Sequence, residues 1–117
     1  MKRSFINRHR LGIVVLTLAL FAWTPAARAQ DSATVSITLK DHRFQPAEPH
    51  APANKPITII VKNLGSAPAE FESNMLRVEK VVAPGGTISL QIRPLAPGRY
   101  RFFDDFHQET QGYLVVQ

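Results

Sequence analysis

The sequence predicts an all-β fold of one domain, an antiparallel Greek-key sandwich or barrel, on three observations. Apolar residues alternate with polar ones in successive short runs. Pro and Gly punctuate the chain between those runs, and no stretch of about 11 residues carries helical spacing with caps. Together these leave sheet-on-sheet packing as the way to bury the apolar faces.

Each strand follows from its pattern. "TVSITLK" sets Val35, Ile37 and Leu39 against Ser and Thr, "ITIIVKN" places Ile57, Ile59 and Val61 on one face, and "TISLQIR" repeats this with Ile88, Leu90 and Ile92. Weaker runs are "AEFESN", "LRVEKVV" with Leu76 and Val78, "GRYRFF" with Tyr100 and Phe102, and the terminal "GYLVVQ". The breaks are Pro46, Pro49, Pro52 and Pro56 in an extended segment, then Asn63-Leu64-Gly65, Pro84-Gly85-Gly86, Pro94 and Pro97-Gly98. Seven or so short strands at this density of turns fit a small sandwich.

The N-terminus reads differently. Lys2, Arg3, Arg8 and Arg10 precede an apolar run over residues 11–23, and Ala27-Arg28-Ala29 follows, the three-part pattern of a secretory signal peptide cut after Ala29. The run is 13 residues long, short of the roughly 20 that an anchoring helix needs. Without a twin-arginine pair, the general export route is expected. Residues 1–29 are therefore expected to be removed and residues 30–117 to act in the periplasm as one domain.

Removal of that segment takes five of the 14 basic residues and none of the nine acidic ones. The remaining nine positive and nine negative side chains cancel, so the electrostatic basis for nucleic-acid binding disappears. No cysteine is present, so stability must come from an apolar core, alone or with a bound metal. Nucleophilic catalysis has no Gly-x-Ser-x-Gly elbow and no thiol to rest on, and Pro84-Gly85-Gly86 leads into a strand rather than a phosphate-binding helix.

Chemistry concentrates in "YRFFDDFHQETQGYLVV". If Tyr100 and Phe102 face the core, parity turns Asp104 inward and leaves Arg101, Phe103 and Asp105 outward. An inward carboxylate at a strand end needs water, a backbone donor, a basic partner or a metal ion, and His107 lies three residues on. The alternative is a polar turn in which Asp104 accepts backbone N–H groups and His107 is solvated. Glu70 and Glu72 share one face of "AEFES" with Phe71 opposite, while His42 and His50 read as surface residues.

The order of "ITLKDHRFQPAE", "ITIIVKNLGSAPAEFE", "VVAPGGTISLQI", "LAPGRYRFFDDFH" and "GYLVV" resembles the cupredoxins over essentially the whole exported part. That resemblance implies a single cupredoxin-like Greek-key β-sandwich. Where copper cupredoxins keep a cysteine, this chain has Asp104; where they keep the first histidine it has Glu70; and the methionine position is held by Thr110 or Gln111. A blue-copper centre needs a thiolate and is not expected.

A nearer resemblance, carried by "AEFESNMLRVEKVVAPG" and "PLAPGRYRFFDDFHQET", is to the EfeO-type domains of bacterial iron transport, including small FtrB-type periplasmic proteins. It implies an accessory of ferrous-iron uptake beside a P19-like iron-binding protein and an iron permease of the inner membrane, with ferrous-iron oxidation as the one catalytic role in view. It also implies Glu70, Asp104 and His107 as ligands of an iron or copper ion, with Asp105, Glu72 and Glu109 around them. Two carboxylates and an imidazole suit iron or Cu(II) and suit Cu(I) poorly. The competing expectation is a metal-free module that docks onto a membrane transport partner through Phe103 or Phe106.

Overall fold

A computed structural model describes residues 19–26 and 31–117. The basic start and the Ala27-Arg28-Ala29 motif lie outside the described residues. Among the described residues no helix is long and apolar enough to cross a membrane.

The described residues form nine strands in order: β1 (Ala33–Lys40), β2 (Arg43–Gln45), β3 (His50–Ala51), β4 (Ile57–Asn63), β5 (Ala69–Ser73), β6 (Val78–Val82), β7 (Thr87–Ile92), β8 (Gly98–Asp104) and β9 (His107–Val116). They form two sheets, β2-β1-β4-β7 and β3-β9-β8-β5-β6. The all-β sandwich is the expected one. Its pairing is mixed, however: β1 runs parallel to β4, and β3 parallel to β9. Period-two patterning fixes which face a strand buries but not the direction of its neighbour, so these two pairs depart from the antiparallel expectation.

The core lies between the sheets, where Val35, Ile37 and Leu39 of β1 and Ile57, Ile59 and Val61 of β4 meet Phe71, Phe102 and Leu114 of the other layer. Phe44, Phe71 and Phe102 form its aromatic centre: Phe44 meets Phe102 edge-on at 5.0 Å and Phe71 stacks on Phe102 at 5.1 Å between centroids. Both arrangements suit the ring quadrupoles.

The proline-rich stretch follows the flank of β9. Pro49 has no N–H to give, but its carbonyl accepts from Val115, as those of Ala47 and Ala51 accept from Tyr113 and Gln117. β6, at the other edge of the same sheet, carries Glu79 and Lys80, charges that discourage edge-to-edge pairing.

β9 begins earlier than its apolar pattern. It starts at His107, directly across from Asp104, so Asp105 and Phe106 alone make the turn from β8. The register then jumps, with Phe103 opposite Gln111, which leaves residues 108–110 as a bulge.

Candidate metal centre

Three connections meet at one pole of the sandwich: the turn after β1, the loop from Asn63 to Ala69, and the β8–β9 turn. They enclose an open cleft of about 270 Å³, whose lining includes Leu39, His42, Asn63, Ala69, Asp104 and His107. Asn63 shapes one wall. Buried at the end of β4, it donates through Nδ2 to the carbonyls of Ala67 (2.8 Å) and Val82 (3.1 Å) and accepts the Gly65 N–H on Oδ1 (2.9 Å).

Asp104 is 2% exposed, on the core side of β8 as parity requires. Its Oδ1 accepts the N–H groups of Glu70 (2.9 Å) and Phe106 (3.1 Å), tying β5 to the turn. Oδ2 stands 3.4 Å from Nδ1 of His107. That nitrogen is buried and makes no hydrogen bond, although the imidazole as a whole is 39% exposed. A buried ring nitrogen at ion-pair distance from a carboxylate, yet without a hydrogen bond to it, is the anomaly of this pole.

His42 belongs to the same cleft, which sequence reasoning missed by treating it as surface. It is exposed, yet its ring lies 4.4 Å from that of His107 between centroids. Thr110, 2% exposed in the bulge of β9, donates its hydroxyl to the His42 carbonyl at 2.9 Å. The one sequence signal was the short polar turn Lys40-Asp41-His42-Arg43 between two alternating runs.

Glu70 contributes its backbone here and sends its carboxylate elsewhere. Phe71 faces the core opposite Asp104, so Glu70 and Glu72 project from the outer face. There the carboxylate oxygens of Glu70, Glu72 and Glu79 come within 4.8 Å of one another. Asp105 adds charge to this group and accepts from Gln108 Nε2 at 2.9 Å, while Glu109 is exposed on β9. The structure thus joins Asp104 to His107 and separates both from the Glu70 carboxylate.

One further expectation changes. Phe103 is 6% exposed rather than outward to solvent, because the Arg101 guanidinium covers its ring at 4.4 Å; Phe106, 48% exposed, is the apolar residue of the turn that meets solvent. Met75 lies at the far end of β5, past Ser73, where Arg93 bonds its carbonyl, and so stands away from the pole.

The family model for the cupredoxin-like domain matches residues 12–116. The chain belongs to the cupredoxin-like domain family. An uncharacterized protein of Rickettsia prowazekii (strain Madrid E) is 43% identical over 83 residues, 70% of this chain and 66% of the relative, so the chain spans just under two thirds of that protein. Among solved structures, the metal-binding domain of the Streptococcus pneumoniae D39 Cu(I)-exporting P-type ATPase CopA superposes with a TM-score of 0.62 at 12% identity, covering 77% of this chain and 99% of that one. Auracyanin A, a "blue" copper protein of Chloroflexus aurantiacus, gives 0.61 at 15% identity over 74% and 100% of the two chains. At these identities the shared property is the fold.

This cupredoxin-like protein lacks the thiolate that a blue-copper ion requires, since it has no cysteine. Its pole offers oxygen and imidazole nitrogen instead. Asp104 Oδ2 and His107 Nδ1, 3.4 Å apart, are a carboxylate oxygen and an imidazole nitrogen close enough to share one borderline ion.

The outer carboxylates have their own consequence. Glu70 is pushed up from 4.5 to about 7, chiefly by sharing a proton with Glu79, then by desolvation and the charges of Glu79, Asp105 and Glu72. Glu72 is raised too, by desolvation first and then by Asp105. A carboxyl whose folded value exceeds its unfolded one binds its proton more tightly in the native state, so its contribution is present below pH 4.5 and is lost as pH rises toward 7. Glu79→Gln is expected to flatten that fall and raise the melting temperature at pH 7.5, as thermal unfolding across pH 4.5–7.5 will show. An unchanged slope would remove the carboxyl pair as its source.

Proposed function

We propose that this cupredoxin-like protein binds one Cu(II) or iron ion through Asp104 and His107 and acts as an exported accessory of metal handling. The observation that carries the reading is the buried, unbonded Nδ1 of His107 at 3.4 Å from Asp104 Oδ2. Two backbone N–H groups hold Oδ1 and leave Oδ2 as the donor, and the turn of Asp105 and Phe106 sets His107 directly across from Asp104. A bound Cu(II) supplies a one-electron acceptor at that point; iron is cargo. The pole's own residues hold the ion and set its preference, because an oxygen and an imidazole nitrogen favour Cu(II) or iron over Cu(I).

The finer reading adds the periplasm, reached through removal of residues 1–29, and ferrous-iron uptake beside a P19-like iron-binding protein and an iron permease. Its support is the resemblance of "AEFESNMLRVEKVVAPG" and "PLAPGRYRFFDDFHQET" to iron-transport domains.

Calorimetric titration of residues 30–117 with Cu(II), and anaerobically with Fe(II), is expected to show one ion bound without an intense thiolate band. His107→Ala is expected to abolish that binding, and in the producing strain to slow Fe(II) uptake where iron is the cargo. Absence of binding by the unaltered protein at micromolar metal, with partner capture lost in Phe106→Ala, would replace this proposal with the docking module.

A further inference from the structure

The geometry points to His42 as a third donor of the pole and to Thr110 as its positioning residue, which gives the site two imidazole nitrogens and one carboxylate oxygen and a preference for Cu(II) over Fe(II). The inference rests on the reading of Asp104 and His107 as donors and goes beyond it.

The backbone supplies the first observation. Asp41 and His42 form the two-residue turn between β1 and β2, closed by the pair Lys40 and Arg43, and both have positive φ, 51° and 56°. Such turns favour Asn-Gly because glycine adopts that conformation without strain. A histidine occupies the second position despite that preference, and it lines the same cleft as Asp104 and His107.

Thr110 supplies the second. It comes from the bulge of β9, 68 residues away in sequence, and fixes the His42 carbonyl with a buried hydroxyl. The backbone of a hairpin tip is thereby held in place while the exposed ring turns about its own bonds among staggered rotamers. The third observation is the ring contact itself: 4.4 Å between centroids with the planes tilted by 53°, which sets the two imidazoles side by side; the donor atoms of His42, Asp104 and His107 do not converge within 4.8 Å as they stand, so the exposed His42 ring must turn to ligate. Two nitrogens and one oxygen move the site toward Cu(II), which such donors bind more tightly than Fe(II).

The test is Cu(II) titration with electron paramagnetic resonance on residues 30–117. The unaltered protein is expected to show hyperfine coupling from two nitrogens; His42→Ala should show one, with affinity at least about tenfold lower. Thr110→Val removes the hydroxyl while keeping the shape and should weaken Cu(II) about tenfold, the lower range for residues that orient a ligand; Thr110→Ser should restore it. His50→Ala, a remote exposed histidine, should change neither readout. His42 is exposed, so its variant carries the test even where Thr110→Val fails to fold. An unchanged nitrogen count and affinity in His42→Ala, with binding still abolished by His107→Ala, overturns this inference alone. Absence of Cu(II) binding by the unaltered protein overturns both.

Discussion

Phe102→Ala is expected to lower the unfolding free energy by about 3–5 kcal/mol, the usual cost of emptying a buried aromatic site. Phe102 is fully buried between Phe44 and Phe71, so the loss removes an edge contact and a stacked contact together with the apolar area. Gly112→Ala should damage the same place from the other side. A Cβ on Gly112 would lie 2.5 Å from Cζ of Phe102 and 2.5 Å from the Ala47 carbonyl oxygen, so the ring and the proline-rich segment must both shift. Overpacking of this kind costs about 1–3 kcal/mol and sometimes more, and backbone on one side places it at the upper end. The double variant should be less destabilised than the sum, because the absent ring frees half of the space. Urea unfolding of the four proteins measures this. A strictly additive result would mean that the Ala47 carbonyl alone excludes the methyl group.

The same residues show how far the fold was legible in the sequence. Val35, Ile37 and Leu39 of β1, and Ile57, Ile59 and Val61 of β4, are buried as their alternation requires. Alternation is a property of one strand and says nothing about whether its neighbour runs with it or against it, so the parallel β1–β4 pair had no sequence signature. β2 and β3, three and two residues long, are too short for a period to register. The start of β9 was hidden for another reason: His107, Gln108 and Glu109 look like loop residues, and only the bulge lets them run beside β8.

At the pole, parity predicted the direction of Asp104 because β8 is regular up to that residue. It put Phe103 on the outer face, but not under cover: a ring there can be buried by one long side chain, here Arg101, that lies outside the alternation rule. For Glu70 the alternation itself was informative, with Phe71 opposite. What it lacked was the register: Asp104 pairs with Phe71, so the peptide of Glu70, and not its carboxylate, reaches Asp104. His42 is separated from Asp104 by most of the domain in sequence, and only the two-sheet topology brings the first hairpin over the last.

Asp104 should therefore answer differently to two substitutions. Asp104→Ala removes the acceptor for the N–H groups of Glu70 and Phe106, and each partly buried donor left alone costs about 1–3 kcal/mol. The expected loss is about 2–4 kcal/mol, with metal binding lost as well, so a failure of Asp104→Ala to bind is uninformative by itself. Asp104→Asn keeps an amide oxygen for both N–H groups while removing the anionic donor. Its metal-free stability should stay within about 1 kcal/mol of the unaltered protein, given that both hydrogen bonds are retained. The separation appears on loading: Cu(II) at a hundred times its dissociation constant should stabilise the unaltered protein by about 2.7 kcal/mol, and Asp104→Asn by far less. Equal stabilisation of the two would remove Oδ2 from the donor set and leave Asp104 as the structural link between β5 and the β8–β9 turn. A large loss of metal-free stability in Asp104→Asn would instead show that the second oxygen, facing His107, already supports the fold before any ion arrives.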